Sequence, residues 1–319
     1  MDRPSPAVPP HPPSSATKAG ARPRDARPLL AARRLAEALP DLLVEANRVA
    51  ATVAAGWHGR RRVGAGETFW QYRPHIPGEP THAIDWRRSA RGDDLHVRER
   101  EWEAAHTVWI VLDRSRSMDW RSDLASVTKA ERALVLALAL AELLGRAGER
   151  VGVPGLLAPR ADRRSAERLA EALARAENDA VPAPTAPVGR ACEVVAIGDL
   201  LDDPGAIEAR LGRFSAEGAR LHLLRVHDPA EAALPWSGPI EFRDPETGER
   251  FHGRRAEALV AGWSDRWAAH GEALARLAAR HRWSLVTHAT DRPASEALLA
   301  LHAALGGARH LDGGRGQRR

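Results

Sequence analysis

The chain has 319 residues, 44% of them hydrophobic and 28% charged, with a formal net charge of +5. That length suits one large α/β domain with an extension, or two small domains. The surplus of positive charge is too small for a DNA-binding footprint, and no stretch is apolar for long enough to span a bilayer.

In chain order, residues 1–28 repeat Pro with Ser, Ala and Arg and hold almost nothing to bury. They predict a disordered tail without the apolar core of a signal peptide. Leu29 to Val53 has helical spacing, with Leu35, Leu39, Leu42, Leu43, Ala46, Val49 and Val53 on one face. Pro40 is expected to split or kink it, and Gly56 to end it. From Trp57 to His106 the chain is rich in Gly, Pro, Arg and Trp, which predicts short strands and tight turns. Within this stretch Arg87, Arg88, Arg91, Arg98 and Arg100 alternate with Asp85, Asp93, Asp94, Glu99, Glu101 and Glu103. Such interleaving favours an ion-pair network bracing the extension, with a docking surface as the sharper alternative. Trp70 and Trp86 read as packing residues.

Thr107–Met118, TVWIVLDRSRSM, begins with the apolar run of a strand buried on both faces. Thr128–Ala147 is apolar nearly all round, a helix wedged between the sheet and other elements and closed by Gly145 and Gly148. Val151–Leu157 predicts a second strand, and Ser165–Ala176 a helix capped by Ser165. A Pro-rich linker, Val181–Val188, leads past Cys192 into Glu193–Asp199, another buried strand ending in an acid. Cys192 is the only cysteine. It precludes an intrachain disulfide, suggests a reducing cytoplasm, and reads as a small buried hydrophobe. Pro204–Glu217 predicts a helix, Arg220–Val226 a strand, and Ile240–His252 a hairpin around Asp244–Gly248. Ala256–His281 predicts a long helix, Trp283–Thr287 a last strand and Pro293–Leu305 a last helix, with a loose tail from Gly306. Strands alternating with helices imply a doubly wound, mainly parallel sheet. The expected division is a tail at 1–28, a helix and Arg/Trp-rich extension at 29–106, the α/β domain at 107–306 and a flexible tail at 307–319.

The strand at Thr107 ends in Asp113, Ser115 and Ser117. An acid and two hydroxyls beyond the carboxyl end of a central strand can hold a hard cation through oxygen. The same residues also suit a hydrogen-bonded turn that caps the next segment. The D-x-S-x-S pattern resembles the metal-ion-dependent adhesion site of von Willebrand factor A domains. Upstream, Arg73-Pro74-His75-Ile76-Pro77-Gly78-Glu79, Ile84-Asp85-Trp86-Arg87-Arg88-Ser89-Ala90-Arg91 and Val97-Arg98-Glu99 follow in order. Together with the strand they resemble the bacterial family known as domain of unknown function 58, strongly over residues 57–118 and more loosely to about 306.

That resemblance implies a von Willebrand A-like (Rossmann-like) core. Ser115 and Ser117 would ligate Mg²⁺ or Mn²⁺, Asp113 would orient them, and Asp199 would supply the second acid. The resemblance also calls for a threonine from a later loop. The region offers only Thr185, inside Pro182–Pro187, where it reads as a linker residue. Arg114 and Arg116 add positive charge beside the turn, which works against tight cation binding. Asp202 and Asp203 read as helix-start acids. An undersaturated ion would attract a carboxylate from a partner, so the first expectation is a non-enzymatic binding or adaptor protein. The family context implies a MoxR-type AAA+ ATPase as partner, in protein assembly or maturation. The rival is a metal-dependent hydrolase using Asp113 and Asp199, for which the sequence nominates no general base.

Overall fold

The computed structural model describes residues 40–54, 69–76, 79–92, 94–100, 105–176 and 187–313. Residues 40–54 form helix α1, with Ala46, Val49, Ala50 and Val53 buried. Pro40 is the first described residue of that helix, and the split or kink expected there falls on the boundary of the described residues. Leu29–Leu39 and Gly56 lie outside the described residues, as do the tail at 1–28 and Thr185.

The extension is an antiparallel hairpin of β1 (Phe69–Pro74) and β2 (His96–Arg100), with the one-turn helix α2 (Trp86–Ser89) between them. Hydrogen bonds within the hairpin explain several residues of the upstream block. Asp85 caps α2 by accepting from the Arg88 N–H at 3.0 Å, and the Tyr72 hydroxyl donates to its other oxygen at 3.4 Å. Ser89 donates to the Asp85 carbonyl at 2.9 Å and accepts the His96 N–H at 2.9 Å. Glu79 accepts the Ile76 N–H at 3.1 Å. Trp86, expected to pack, is 60% exposed. It is the first residue of a one-turn helix, directly after the Asp85 cap.

The core is a six-stranded sheet in the order β10-β7-β6-β3-β4-β5. Its strands are β3 (Thr107–Leu112), β4 (Arg150–Val153), β5 (Leu157–Ala161), β6 (Glu193–Gly198), β7 (Arg220–His227) and β10 (Ser284–Ala289). All neighbours are parallel except β4 and β5. That pair corrects the single strand expected over Val151–Leu157. Pro154-Gly155 turns the chain instead, with Gly155 at φ 73° and the Leu156 N–H closing on the Val153 carbonyl at 3.1 Å.

Helices cover both faces. Alternate strand residues Val108, Ile110, Val195, Ile197 and Leu224 pack with α1, α3 (Lys129–Arg146) and α8 (Ala294–Gly313). Trp109, Val111, Val194, Ala196 and Leu223 face α5 (Pro204–Ala216) and α7 (Val260–His281). Helix α3 is buried nearly all round because α4 (Ser165–Arg175), α8 and the sheet enclose it. Its start is a capping box in which Thr128 and Glu131 satisfy each other's backbone N–H groups. Ser165 is the first residue of α4 rather than its cap: its hydroxyl donates to the Asp162 carbonyl at 2.6 Å. Helix α8 runs past the expected end at Leu305 to Gly313, since two glycines cost about 1 kcal/mol each and flanking helix formers carry it through. The hairpin of β8 (Ile240–Arg243) and β9 (Arg250–Gly253) forms as expected, and short α6 (Pro229–Ala233) follows β7. Among the described residues no helix is long and apolar enough to cross a membrane.

Candidate functional site

The chain leaves β3 through α3 for β4 on one side, then returns to β6 on the other side of β3. Strand order therefore reverses between β3 and β6, the position where open α/β sheets form a crevice at their carboxyl ends. Their parallel register pairs Leu112 with Ile197, so Asp113 and Asp199 leave adjacent strands side by side. The Asp113 N–H extends the ladder to the Ile197 carbonyl at 2.8 Å. A Cβ on Gly198 would meet Asp113 Cβ at 2.7 Å, so only glycine lets that carboxyl lie across the end of β6.

All four sequence-predicted residues converge. Asp113 Oδ1 accepts the Ser115 N–H at 2.9 Å; the Ser115 and Ser117 hydroxyls are 3.1 Å apart; the Ser117 hydroxyl donates to Asp199 Oδ2 at 2.7 Å. Burial pushes the Asp113 carboxyl above the usual carboxylate range, against the Ser115 hydrogen bonds, and Asp199 adds to the rise. After Asp199 the backbone takes φ 51° at Leu200, a left-handed conformation strained for a branched side chain. Burial of Leu200 and the 2.7 Å contact of His270 with its carbonyl hold that turn.

The sequence reading missed the residue on which the cluster turns. Lys129, the first residue of α3, is 1% exposed. Its Nζ donates to Asp199 Oδ2 at 2.9 Å and to Glu231 Oε1 at 2.6 Å. Burial alone would lower its pKa, but Asp199 and Glu231 outweigh that and raise it. A cation at a helix N-terminus opposes the helix dipole, so those carboxylates must supply its stabilisation. Glu231 sits in the capping box of α6, its second oxygen taking the Asp228 N–H at 2.8 Å. One signal was available: in a chain whose cations are otherwise nearly all Arg, a lysine marks a place for a compact point charge.

Two further neighbours were not foreseen. Glu246, in the β8–β9 turn, accepts the Ser117 N–H at 2.9 Å. Arg225 on β7 is 3% exposed and lies 4.1 Å from the centre of the Trp267 ring. The acids judged structural behave so: Asp203 caps α5 through the Gly205 N–H, and Asp202 pairs with Arg210 at 2.7 Å. Cys192 is buried, which pushes its thiol pKa up, as suits an inert hydrophobe.

The donor set is a poor fit to a divalent metal beside that lysine. Asp199 Oδ2, the oxygen facing the serines, already carries a hydroxyl proton and an ammonium. An ion sharing it would stand within about 5 Å of Nζ, where two unit charges repel by roughly 3 kcal/mol at an effective dielectric of about 20, and a divalent ion by twice that.

The family described as protein of unknown function DUF58 matches residues 71–273, which include most of the β1–β2 hairpin, both strand-end acids, Lys129, Glu231 and Glu246. The chain belongs to that family. Among its relatives, an uncharacterized protein of Mycobacterium tuberculosis is 26% identical over 277 residues, covering 81% of this chain and 86% of the relative. An uncharacterized protein of Mycobacterium bovis matches to the same extent. Two solved structures are also similar. An aerotolerance-related membrane protein of Bacteroides fragilis is 21% identical with a TM-score of 0.40, over 64% of this chain and 100% of that one. The conserved hypothetical protein BatB of Bacteroides thetaiotaomicron is 19% identical with a TM-score of 0.38 over the same shares.

A second electrostatic feature lies at the end of β10. His288 is 4% exposed, and burial, then Arg132, His227 and Arg292, push its pKa from 6.5 to about 4. It is neutral in the fold and takes up a proton on unfolding below about pH 6.5. Stability should therefore fall as pH drops from about 6.5 towards 4, by up to about 3 kcal/mol for this group. In urea titrations at both ends of that range, His288→Leu should lose less stability than the parent; an equal loss would absolve the histidine.

Proposed function

We propose that this DUF58 protein is a non-enzymatic, von Willebrand A-like binding or adaptor protein that receives an acidic side chain of its partner at the carboxyl ends of β3 and β6. The observation that carries the reading is the Glu246 carboxylate seated on the Ser117 N–H. The D-x-S-x-S turn thus presents a backbone donor that a carboxylate can take from outside, at the crevice where ligands collect in sheets of this kind. Glu246 is exposed and on a hairpin turn, so it can be exchanged for a partner's acid. The partner class follows from the resemblance: a MoxR-type AAA+ ATPase, with assembly or maturation of other proteins as the outcome. The Mg²⁺ or Mn²⁺ of that resemblance is not required by this reading, because the Ser117 N–H supplies the contact. Catalysis is not required either, since Asp199 is engaged by Lys129 and Ser117.

The test is capture of the MoxR-type ATPase encoded in the same genome, in each nucleotide state, by the parent and by Glu246→Ala. If Glu246 occupies the partner's place, the variant should bind about fivefold more tightly, the equivalent of one exposed hydrogen bond of roughly 1 kcal/mol. Weaker binding by the variant would make Glu246 a contact rather than a placeholder. No capture in any nucleotide state would remove the ATPase as partner.

A further inference from the structure

We infer that Lys129 is the built-in cation of the strand-end site, its ammonium ordering Asp199 and the Asp113–Ser117 turn so that the site is complete without a divalent metal. The inference deepens the reading above by stating how the same turn is held, and it is tested on the isolated protein. Its basis is a continuous chain of contacts. Lys129 Nζ meets Asp199 Oδ2, that oxygen accepts the Ser117 hydroxyl, and Ser117 meets Ser115, whose N–H is taken by Asp113. A metal would use the same two hydroxyls and the same carboxylate, neutralising the acids and pinning the serines. Here a covalently tethered charge performs both tasks.

Three features make the ammonium a fixed part of the site rather than a surface pair folded inward. Its side chain is 1% exposed, so it is not exchanged with solvent ions. Glu231 closes its other side at 2.6 Å, and Glu231 is itself set by the α6 capping box. Its position at the start of α3 is unfavourable for a cation on dipole grounds, which leaves the two acids as the reason it can stay charged there. The chemistry that follows is a site whose order does not depend on Mg²⁺ supply. A partner's carboxylate would meet backbone N–H rather than a metal ion.

The experiment is Mn²⁺ titration followed by the loss of the free-ion electron-spin signal, with Mg²⁺ calorimetry beside it. The proteins are the parent, Lys129→Met, and Lys129→Met combined with Glu231→Gln. The double variant removes the ammonium together with one orphaned acid, which keeps Asp199 as the charge to be balanced and protects the fold. The parent should show no saturable uptake, and its melting should be indifferent to EDTA and Mg²⁺. A folded variant should show saturable Mn²⁺ uptake at concentrations where the parent shows none, lose it again on adding Ser117→Ala, and melt higher with Mg²⁺. Saturable uptake by the parent that Ser117→Ala abolishes would overturn the inference. So would a cooperatively melting double variant that takes up no Mn²⁺. If neither variant folds, the parent titration decides alone. Failure of ATPase capture would leave this result untouched, so the two readings fail separately.

Discussion

Lys129→Met is expected to destabilise the fold by about 3–5 kcal/mol, the usual consequence of removing one partner from a buried ion pair. The size follows from what is left behind. Lys129 Nζ lies 2.9 Å from Asp199 and 2.6 Å from Glu231, so its loss strands two acids that are themselves largely buried. Methionine matches the stem of the lysine, which limits any cavity contribution, and the deficit is electrostatic. Burial already raises Glu231 above the usual carboxylate range despite the ammonium. Without it Glu231 should hold its proton still more tightly in the fold than in the unfolded chain. A raised folded-state pKa gives stability that is lost as pH rises. The deficit of the variant should therefore be larger at pH 8 than at pH 5.5, whereas a pure packing defect would be independent of pH. Urea unfolding of parent and variant at the two pH values reads this directly. A loss under about 1 kcal/mol at both would mean that the ion pair is bystander chemistry.

Asp228→Ala should cost about 3 kcal/mol, or roughly 6–12 °C in melting temperature for a domain of this size. Asp228 is fully buried, and three donors depend on it. Its carboxylate accepts the Ser122 N–H at 2.8 Å, the Ser122 hydroxyl, and the Ala230 N–H at 2.9 Å. The last of these is the cap of α6, worth about 1 kcal/mol, and the two on Ser122 would be left buried and unpaired at roughly 1 kcal/mol or more each. The position matters because Asp228 joins the two loops that carry the site. Ser122 belongs to the segment between the serine turn and α3, and α6 carries Glu231 to Lys129. Hydrogen exchange should accordingly rise over residues 119–127 as well as at α6. Asp228→Asn keeps one acceptor oxygen but puts an NH2 in place of the other and loses the charge, and should fall between the parent and Ala; equality of Asn and Ala would show that one acceptor alone does not hold the two loops together.

Much of this molecule could be read from local pattern. The apolar runs before Asp113 and Asp199, the all-round apolar α3 and the alternation of strand with helix are short-range signals. Each is set by burial and by a backbone period that the residue order displays. Places where a single turn decides between two outcomes were harder. Val151–Leu157 has the composition of one strand, yet Pro154-Gly155 reverses it into an antiparallel pair. Gly306 looks like a helix stop, yet α8 continues, because glycine weakens a helix without forbidding it.

By itself the sequence determined the apolar strands before Asp113 and Asp199, the mainly parallel class of the sheet, and the four oxygen-bearing residues at its carboxyl end. Their chemistry was decided by the tertiary structure. Lys129, Asp199 and Glu231 are brought to one point from positions 70 and 102 residues apart, and Glu246 reaches Ser117 across 129. No period or spacing rule links such residues, because their meeting depends on loop closure and on where β3, β6 and β7 lie in the sheet. The pattern D-x-S-x-S names ligands for a cation, and the folded chain places the Lys129 ammonium on Asp199, the acid that Ser117 also meets.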